Sequence, residues 1–249
     1  MSLSRLFTPA PWSPPPGVAL ALTTRCGGVS AAPWHSFNLG DHVGDHAPHV
    51  AHNRALLRQE LPAEPLWLRQ VHGVRCIDAA QAQANDEADA SFSRTPGIVC
   101  AVLTADCLPI LLCDRAATVV AAIHAGWRGL ASGVIESTLA AIGAPPSHLM
   151  AWFGAAISAA HFEVGDEVRA AFVAHDPAAA QAFASGREPG KWMADLPRLA
   201  RRRLQALGIN PSRIASADFC SVRDHELFYS YRRDGITGRM ASLIWLNPP

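Results

Sequence analysis

The chain has 249 residues, 49% apolar and 17% charged, with Lys+Arg and Asp+Glu both at 21. That balance is ordinary for a globular protein and leaves no net field to draw in nucleic acid or an anionic membrane, so any partner has to be recognised locally. No stretch approaches the roughly 20 apolar residues that span a bilayer, and the proline-rich start "MSLSRLFTPAPWSPPPG", followed by the short "VALAL", lacks the core of a secretory signal.

In chain order, the patterns predict a strand over 18–23 and a helix over 48–61, the latter marked by Val50, Arg54, Leu57 and Leu61. Strands follow at 66–72, 98–104, 108–113 and 118–124. A second helix over 128–142 is marked by Ala131, Val134, Ile135, Thr138 and Ile142, and a strand at 150–153 comes next. Val164, Val168, Phe172 and His175 mark a third helix. Leu196, Leu199, Leu204 and Leu207 mark a fourth, with Asp195 as N-cap and its end at Gly208. A last strand covers 240–246. The Pro- and Gly-rich stretches 9–17 and 184–191 read as surface loops, so residues 1–249 are expected to form one domain. Strands outnumber helices without alternating with them, which predicts an α+β domain with mixed sheets.

Polar groups interrupt the apolar strands in three places. In "LWLRQVHG" (66–73), Leu68, Gln70 and His72 would share a face of an extended chain, with Gly73 turning beside the imidazole. In "GIVCAVLTADCLPILLCD" (97–114), Thr104, Asp106 and Cys107 break an apolar run, and Pro109 is expected to prevent a regular central ladder. In "TVVAAIHAGWRGL" (118–130) a strand ends at His124, and two glycines bracket Trp127 and Arg128 before a helix whose N-terminus is a natural anion site. Buried imidazoles and thiols need partners. His72, Cys107 and His124 would satisfy one another around a metal, with an open fourth position of the catalytic zinc type. Spacings of 35 and 17 residues do not match a zinc finger, so the residues alone also leave Cys107 open as a nucleophile served by a histidine base, or as part of a structural zinc site in a binding domain.

The six cysteines, Cys26, Cys76, Cys100, Cys107, Cys113 and Cys220, contain no C-x-x-C pair and read as reduced thiols of a cytoplasmic protein. His42, His46, His49 and His52 cluster in sequence, but the last three step by three residues and would spread around a helix rather than gather on a metal. No H-x-H pair is present, so a multicopper centre is not expected.

The motifs "TTRCGGVS", "FNLGDHVGD", "QVHG", "EADA", "LTADCLPILL", "AAIHAGWRG", "ISAAHFEVGDEV" and "FYSYRRDGITGR" run in this order from residue 23 to residue 239. Together they closely resemble the bacterial polyphenol oxidase or laccase-domain family, whose members are also called peptidoglycan editing factors and purine nucleoside phosphorylases. The resemblance implies a four-layer α-β-β-α sandwich and Zn2+ bound by His72, Cys107 and His124. It also implies phosphorolysis of adenosine, inosine, guanosine and methylthioadenosine, and deamination of adenosine. The older name implies copper-dependent (Cu2+) oxidation of phenols, and a further implied role is editing of a peptidoglycan precursor. For the nucleoside chemistry, Asp106 or Asp89 is the expected proton carrier. Arg25, Arg128 and one of Arg232, Arg233 and Arg239 are expected to bind phosphate, and Asn38 and Gln70 to orient the nucleoside. Ala155 of "GAAIS" stands where the family pattern has proline, which implies a looser turn there.

Overall fold

Period-two alternation along β4 (Cys100–Thr104) sorts its side chains into two cores. Ala101 and Leu103 pack on one side with Phe37, Leu39 and Leu57, whereas Cys100 and Val102 pack on the other with Leu111, Val120 and Trp152. The structure, a computed structural model, describes residues 6–8 and 12–248. β4 belongs to an antiparallel sheet in the order β1 (Val18–Leu22), β12 (Met240–Leu246), β4. Its inner face packs on a six-stranded sheet ordered β11 (Ile214–Ser216), β7 (Leu149–Phe153), β5 (Leu108–Asp114), β6 (Val120–Ala125), β3 (Ala90–Ser93) and β2 (Cys76–Asp78). That sheet is mixed, because β11 runs parallel to β7 and β2 parallel to β3, with the other pairings antiparallel.

Helices close both outer faces. α1 (Ala47–Arg58) places Leu57 against the outer face of the three-stranded sheet. The outer face of the six-stranded sheet, including Ile110, Leu112, Ala121 and Ile123, packs against α2 (Trp127–Ser132), α3 (Val134–Ile142), α4 (Asp166–His175) and α5 (Leu196–Ala206). The order of layers is therefore α-β-β-α, the mixed α+β sandwich that the sequence implies. A small antiparallel sheet of β8 (Glu163–Gly165), β10 (Lys191–Ala194) and β9 (Phe183–Ser185) sits beside the helices, and a four-residue turn of helix, α6 (Tyr231–Asp234), precedes β12. Among the described residues, no helix is long and apolar enough to cross a membrane.

Several elements differ from the sequence expectation for identifiable reasons. Residues 66–72 form no strand: only Leu66 and Arg69 make isolated bridges, to Cys100 and Glu87. The Gln70 side chain takes the place of a further backbone partner, accepting from Leu103 N–H at 2.7 Å and donating to Leu103 C=O at 2.8 Å. The expected helix over 128–142 is two helices, broken at Gly133, whose φ of 101° favours glycine. Val164 lies in β8 and not in a helix, so α4 begins two residues later. Pro109 does stand inside β5, opposite His124 of β6. Pairing of β5 with β7 starts only at Ile110, and Gly154 N–H still reaches the Pro109 carbonyl at 3.0 Å, so the missing N–H falls beyond the end of β7. Asp195 caps α5 as expected, accepting from Arg198 N–H at 2.9 Å, and Gly208 follows the helix with a φ of 100°. The loop expected over 184–191 contributes residues to β9 and β10, and part of the 9–17 loop lies outside the described residues.

Leu111 is fully buried between the two sheets. Leu111→Ala is expected to lower unfolding stability by about 2–5 kcal/mol, read as a shifted midpoint in urea denaturation.

Candidate metal centre and its cavity

β4 and β5 belong to different sheets, and the chain passes between them in the three residues Ala105, Asp106 and Cys107. That crossover presents the Cys107 thiol beside the end of β6, where His124 sits, and the loop after Gln70 brings in His72. The ligating atoms of the three side chains all lie within 4.8 Å of one another, and the two imidazole rings meet edge-on with centroids 4.8 Å apart. Gly126 closes the cradle from below: a Cβ there would come within 2.6 Å of His72 Nδ1 and 3.0 Å of Cys107 Sγ. A Cβ on Gly129 would meet the Gly73 carbonyl at 2.8 Å, so both glycines of "HAGWRG" let α2 press against the loop that carries His72.

The fully buried Asp89 carboxylate holds these parts together. Its Oδ1 accepts from His124 Nδ1 at 2.8 Å and from His72 N–H at 2.9 Å, and its Oδ2 accepts from Val71 N–H at 3.1 Å and Gly73 N–H at 2.7 Å. This cluster of donors stabilises a His72 backbone with a φ of 60°. With the Nδ1 proton committed to Asp89, His124 turns Nε2 toward Cys107. Burial alone would raise the Asp89 carboxyl, but the His124 ring and the Gly73 and Val71 amides hold it below its ordinary value. Burial likewise opposes the Cys107 thiolate. The charge and hydrogen bond of His124, with help from His72, outweigh it and lower the thiol to about 6, while Cys107 and Asp89 raise His124 to about 9. Two imidazoles and one low-pKa thiol fit a borderline-soft divalent ion such as zinc.

The three residues line a cavity of about 490 Å³ together with Gln70, Thr104, Asp106, Trp127 and Arg128, and with His42, Phe162, Tyr231, Arg232 and Arg239. Asp106 adopts a φ of 93°, with its carboxylate accepting from Ser221 Oγ–H and from Arg232 N–H, each at 2.6 Å. Arg128 lies over the Trp127 ring, Arg232 lies over the Phe162 ring and donates to the Glu163 carbonyl, and Arg239 donates to the carbonyls of Thr237 and Gly238. None of the three forms a salt bridge among the described residues. Burial pushes the Arg239 guanidinium below its ordinary value, the cost of a half-buried cation without a close counter-ion.

The residues expected from sequence divide cleanly. His72, Cys107, His124, Asp106, Gln70 and Arg128 line the cavity, and Asp89 stands directly behind it. Arg25, Asn38 and Arg233 are not among its lining residues. Arg25 packs on the Tyr229 ring and donates to the His225 carbonyl. Asn38 is buried and accepts from Arg239 N–H at 2.9 Å. Arg233 donates to the carbonyls of Ser221, Val222 and Phe228. Each braces a segment that carries a lining residue or lies next to one. His42, set aside with its neighbouring histidines, does reach the cavity, and its signal was membership of "FNLGDHVGD" rather than its spacing from His46. Phe162 and Tyr231 were missed for the same reason: their motifs were visible, but aromatic residues carry no spacing signature.

Two measurements follow from this geometry. Asp89→Asn keeps the shape but removes the charge that orients His124, and metal affinity is expected to fall on the order of 10–100-fold in a chelator competition titration. In chelator-treated protein, the thiolate absorbance near 240 nm that Cys107→Ser removes is expected to persist at pH 7 and fade only as the pH drops through about 6. An ordinary thiol would already lose it near 9.

The family model described as "Multi-copper polyphenol oxidoreductase laccase" matches residues 19–247. Among curated proteins, "Purine nucleoside phosphorylase YfiH" of Escherichia coli K12 is 49% identical over 247 residues, covering 98% of this chain and 100% of that protein. "Purine nucleoside phosphorylase PA4543" of Pseudomonas aeruginosa is 50% identical, over 94% of this chain and 96% of its own length. The crystal structure of Neisseria meningitidis protein NMB0706 superposes with a TM-score of 0.93 at 48% identity, covering 98% of this chain and all of that one. YlmD from Geobacillus stearothermophilus gives 0.88 at 30% identity, covering 98% and 100%. With the family model matching residues 19–247 and relatives about half identical over nearly its whole length, the chain belongs to the multi-copper polyphenol oxidoreductase laccase family.

Proposed function

We propose that this chain is a metal-dependent, cytoplasmic purine nucleoside phosphorylase, with Zn2+ held by His72, Cys107 and His124, acting on adenosine, inosine, guanosine and methylthioadenosine. Deamination of adenosine is a second reaction of the same site. The observation that carries this reading is the placement of three guanidinium groups, on Arg128, Arg232 and Arg239, that form no salt bridge among the described residues, around the cavity that holds the His-Cys-His group. The relatives named as purine nucleoside phosphorylases supply the substrate class.

Phosphorolysis brings a multiply charged phosphate against the sugar carbon while the purine leaves with the bond electrons. Arginine forks bind such an anion through paired charge-assisted hydrogen bonds, and a partly desolvated Arg239 gains most from its arrival. Bound Zn2+ supplies a Lewis acid that lowers the pKa of water toward about 7. Asp106, the carboxylate that lines the cavity, is positioned to take or return a purine proton. Asp89 orients His124, Gln70 fixes the loop of His72 to β4, and Asn38, Arg25 and Arg233 brace the walls that carry the arginines.

A second reading is favoured by one observation: the low-pKa thiol of Cys107 beside a raised His124, itself oriented by Asp89, is also the arrangement of a cysteine hydrolase acting on an amide of a cell-wall precursor. A third, copper-dependent oxidation of phenols, rests on the family description alone.

The deciding assay is release of free base from adenosine with and without inorganic phosphate, on protein whose metal has been counted. About one zinc per chain and strictly phosphate-dependent release are expected. Arg239→Gln and Arg128→Gln are each expected to raise the KM for phosphate by tenfold or more, since a hydrogen bond to a charged group contributes about 1.5–3 kcal/mol. Base release indifferent to phosphate would sink the phosphorylase assignment. A metal-free protein inactivated by one equivalent of a thiol alkylator would favour the hydrolase.

A further inference from the structure

The chain has two tyrosines, and the fold treats them oppositely. Tyr229 is fully buried, with its hydroxyl donating to the Trp34 carbonyl at 2.6 Å. Tyr231, two residues on, is 62% exposed and lines the cavity beside the metal centre. A large aromatic left open at a cavity mouth contributes little to the core, so packing does not account for its place there.

The mount that carries this ring is stiff. Ser230 caps α6 by accepting from Arg233 N–H at 3.2 Å. The N–H of Arg232 is held by the Asp106 carboxylate, next in sequence to Cys107, and the Arg232 side chain reaches the Glu163 carbonyl at 2.9 Å. Arg233 ties the far side of the turn to the carbonyls of Ser221 and Phe228. The turn is therefore anchored through Asp106 to the crossover that bears the candidate metal ligand, while the ring itself is spared packing. Arg239 lies close enough to feel the phenol, so an open aromatic surface and an unpaired cation flank one cavity.

We propose that Tyr231 is the stacking platform for the purine base, placing the base at the α6 rim while the arginines take the phosphate. This rests on the nucleoside reading of the site and adds a specificity residue to it. A flat heterocycle covers an aromatic ring without needing any hydrogen bond matched to its edge, which fits acceptance of several purines rather than one. A sugar phosphate without a base offers the ring nothing to stack on.

The test compares equilibrium binding of adenosine and of ribose 1-phosphate to the metal-loaded wild type, Tyr231→Ala and Tyr231→Phe. Base stacking contributes about 1–3 kcal/mol, so Tyr231→Ala is expected to weaken adenosine between about fivefold and about 150-fold. Ribose 1-phosphate binding and the melting temperature should stay unchanged, and Tyr231→Phe should bind adenosine nearly as the wild type does. Unchanged adenosine affinity in Tyr231→Ala, or equal weakening of both ligands, would overturn the inference. Wild type that binds adenosine through Tyr231 yet catalyses no phosphorolysis would overturn the phosphorylase reading and leave the platform standing. Wild type that binds no adenosine would overturn both.

Discussion

One buried carboxylate takes four hydrogen bonds from two parts of the chain that are far apart in sequence. Asp89 joins the His72 loop to the end of β6. Without it three successive backbone amides would be left unpaired, and a positive-φ histidine would lose its support. The charge also reaches the thiol indirectly: by holding a proton on His124 Nδ1, it keeps an imidazole facing Cys107 in a set tautomer. The chemistry of the centre thus depends on a residue that never lines the cavity.

The arginines around the cavity show the opposite arrangement. Among the described residues some arginines are in ion pairs, Arg203 with Glu136, Arg202 with Asp176 and Arg233 with Asp234 among them. Around the His-Cys-His group Arg128, Arg232 and Arg239 are left with carbonyls and aromatic faces, and the nearby Asp106 carboxylate accepts from Ser221 and from the Arg232 N–H. Ion pairs at exposed positions contribute little to stability, so withholding them costs the fold little, and it leaves positive potential concentrated over one concavity.

Much of this was legible in the sequence, and the reasons differ by residue. His72, Cys107 and His124 announced themselves because coordinating groups broke three apolar runs, whereas Gly126 and Gly129 were read only as bracketing a helix start and not as points of close approach. The layering followed from strands outnumbering helices together with the family resemblance. What stayed hidden was whatever depends on a side chain substituting for backbone. Gln70 was expected within a strand, but its amide pairs instead with both backbone groups of Leu103 in β4. The roles expected for Asp89, Asn38 and Arg233 rested on hydrogen-bonding capacity, which is visible in a sequence whereas the atom that uses it is not. Gly133 broke a helix whose apolar period ran through it undisturbed, since a positive φ leaves no trace in hydrophobic spacing.

The three-residue step from β4 to β5 has a mechanical consequence. Because the chain changes sheets at Ala105–Cys107, the thiol is tethered to both layers at once, while His124 belongs to only one of them. Any sliding of the three-stranded sheet over the six-stranded one would drag Cys107 away from its partner imidazole. The spacing of thiol and imidazole is therefore tied to the register of the two layers.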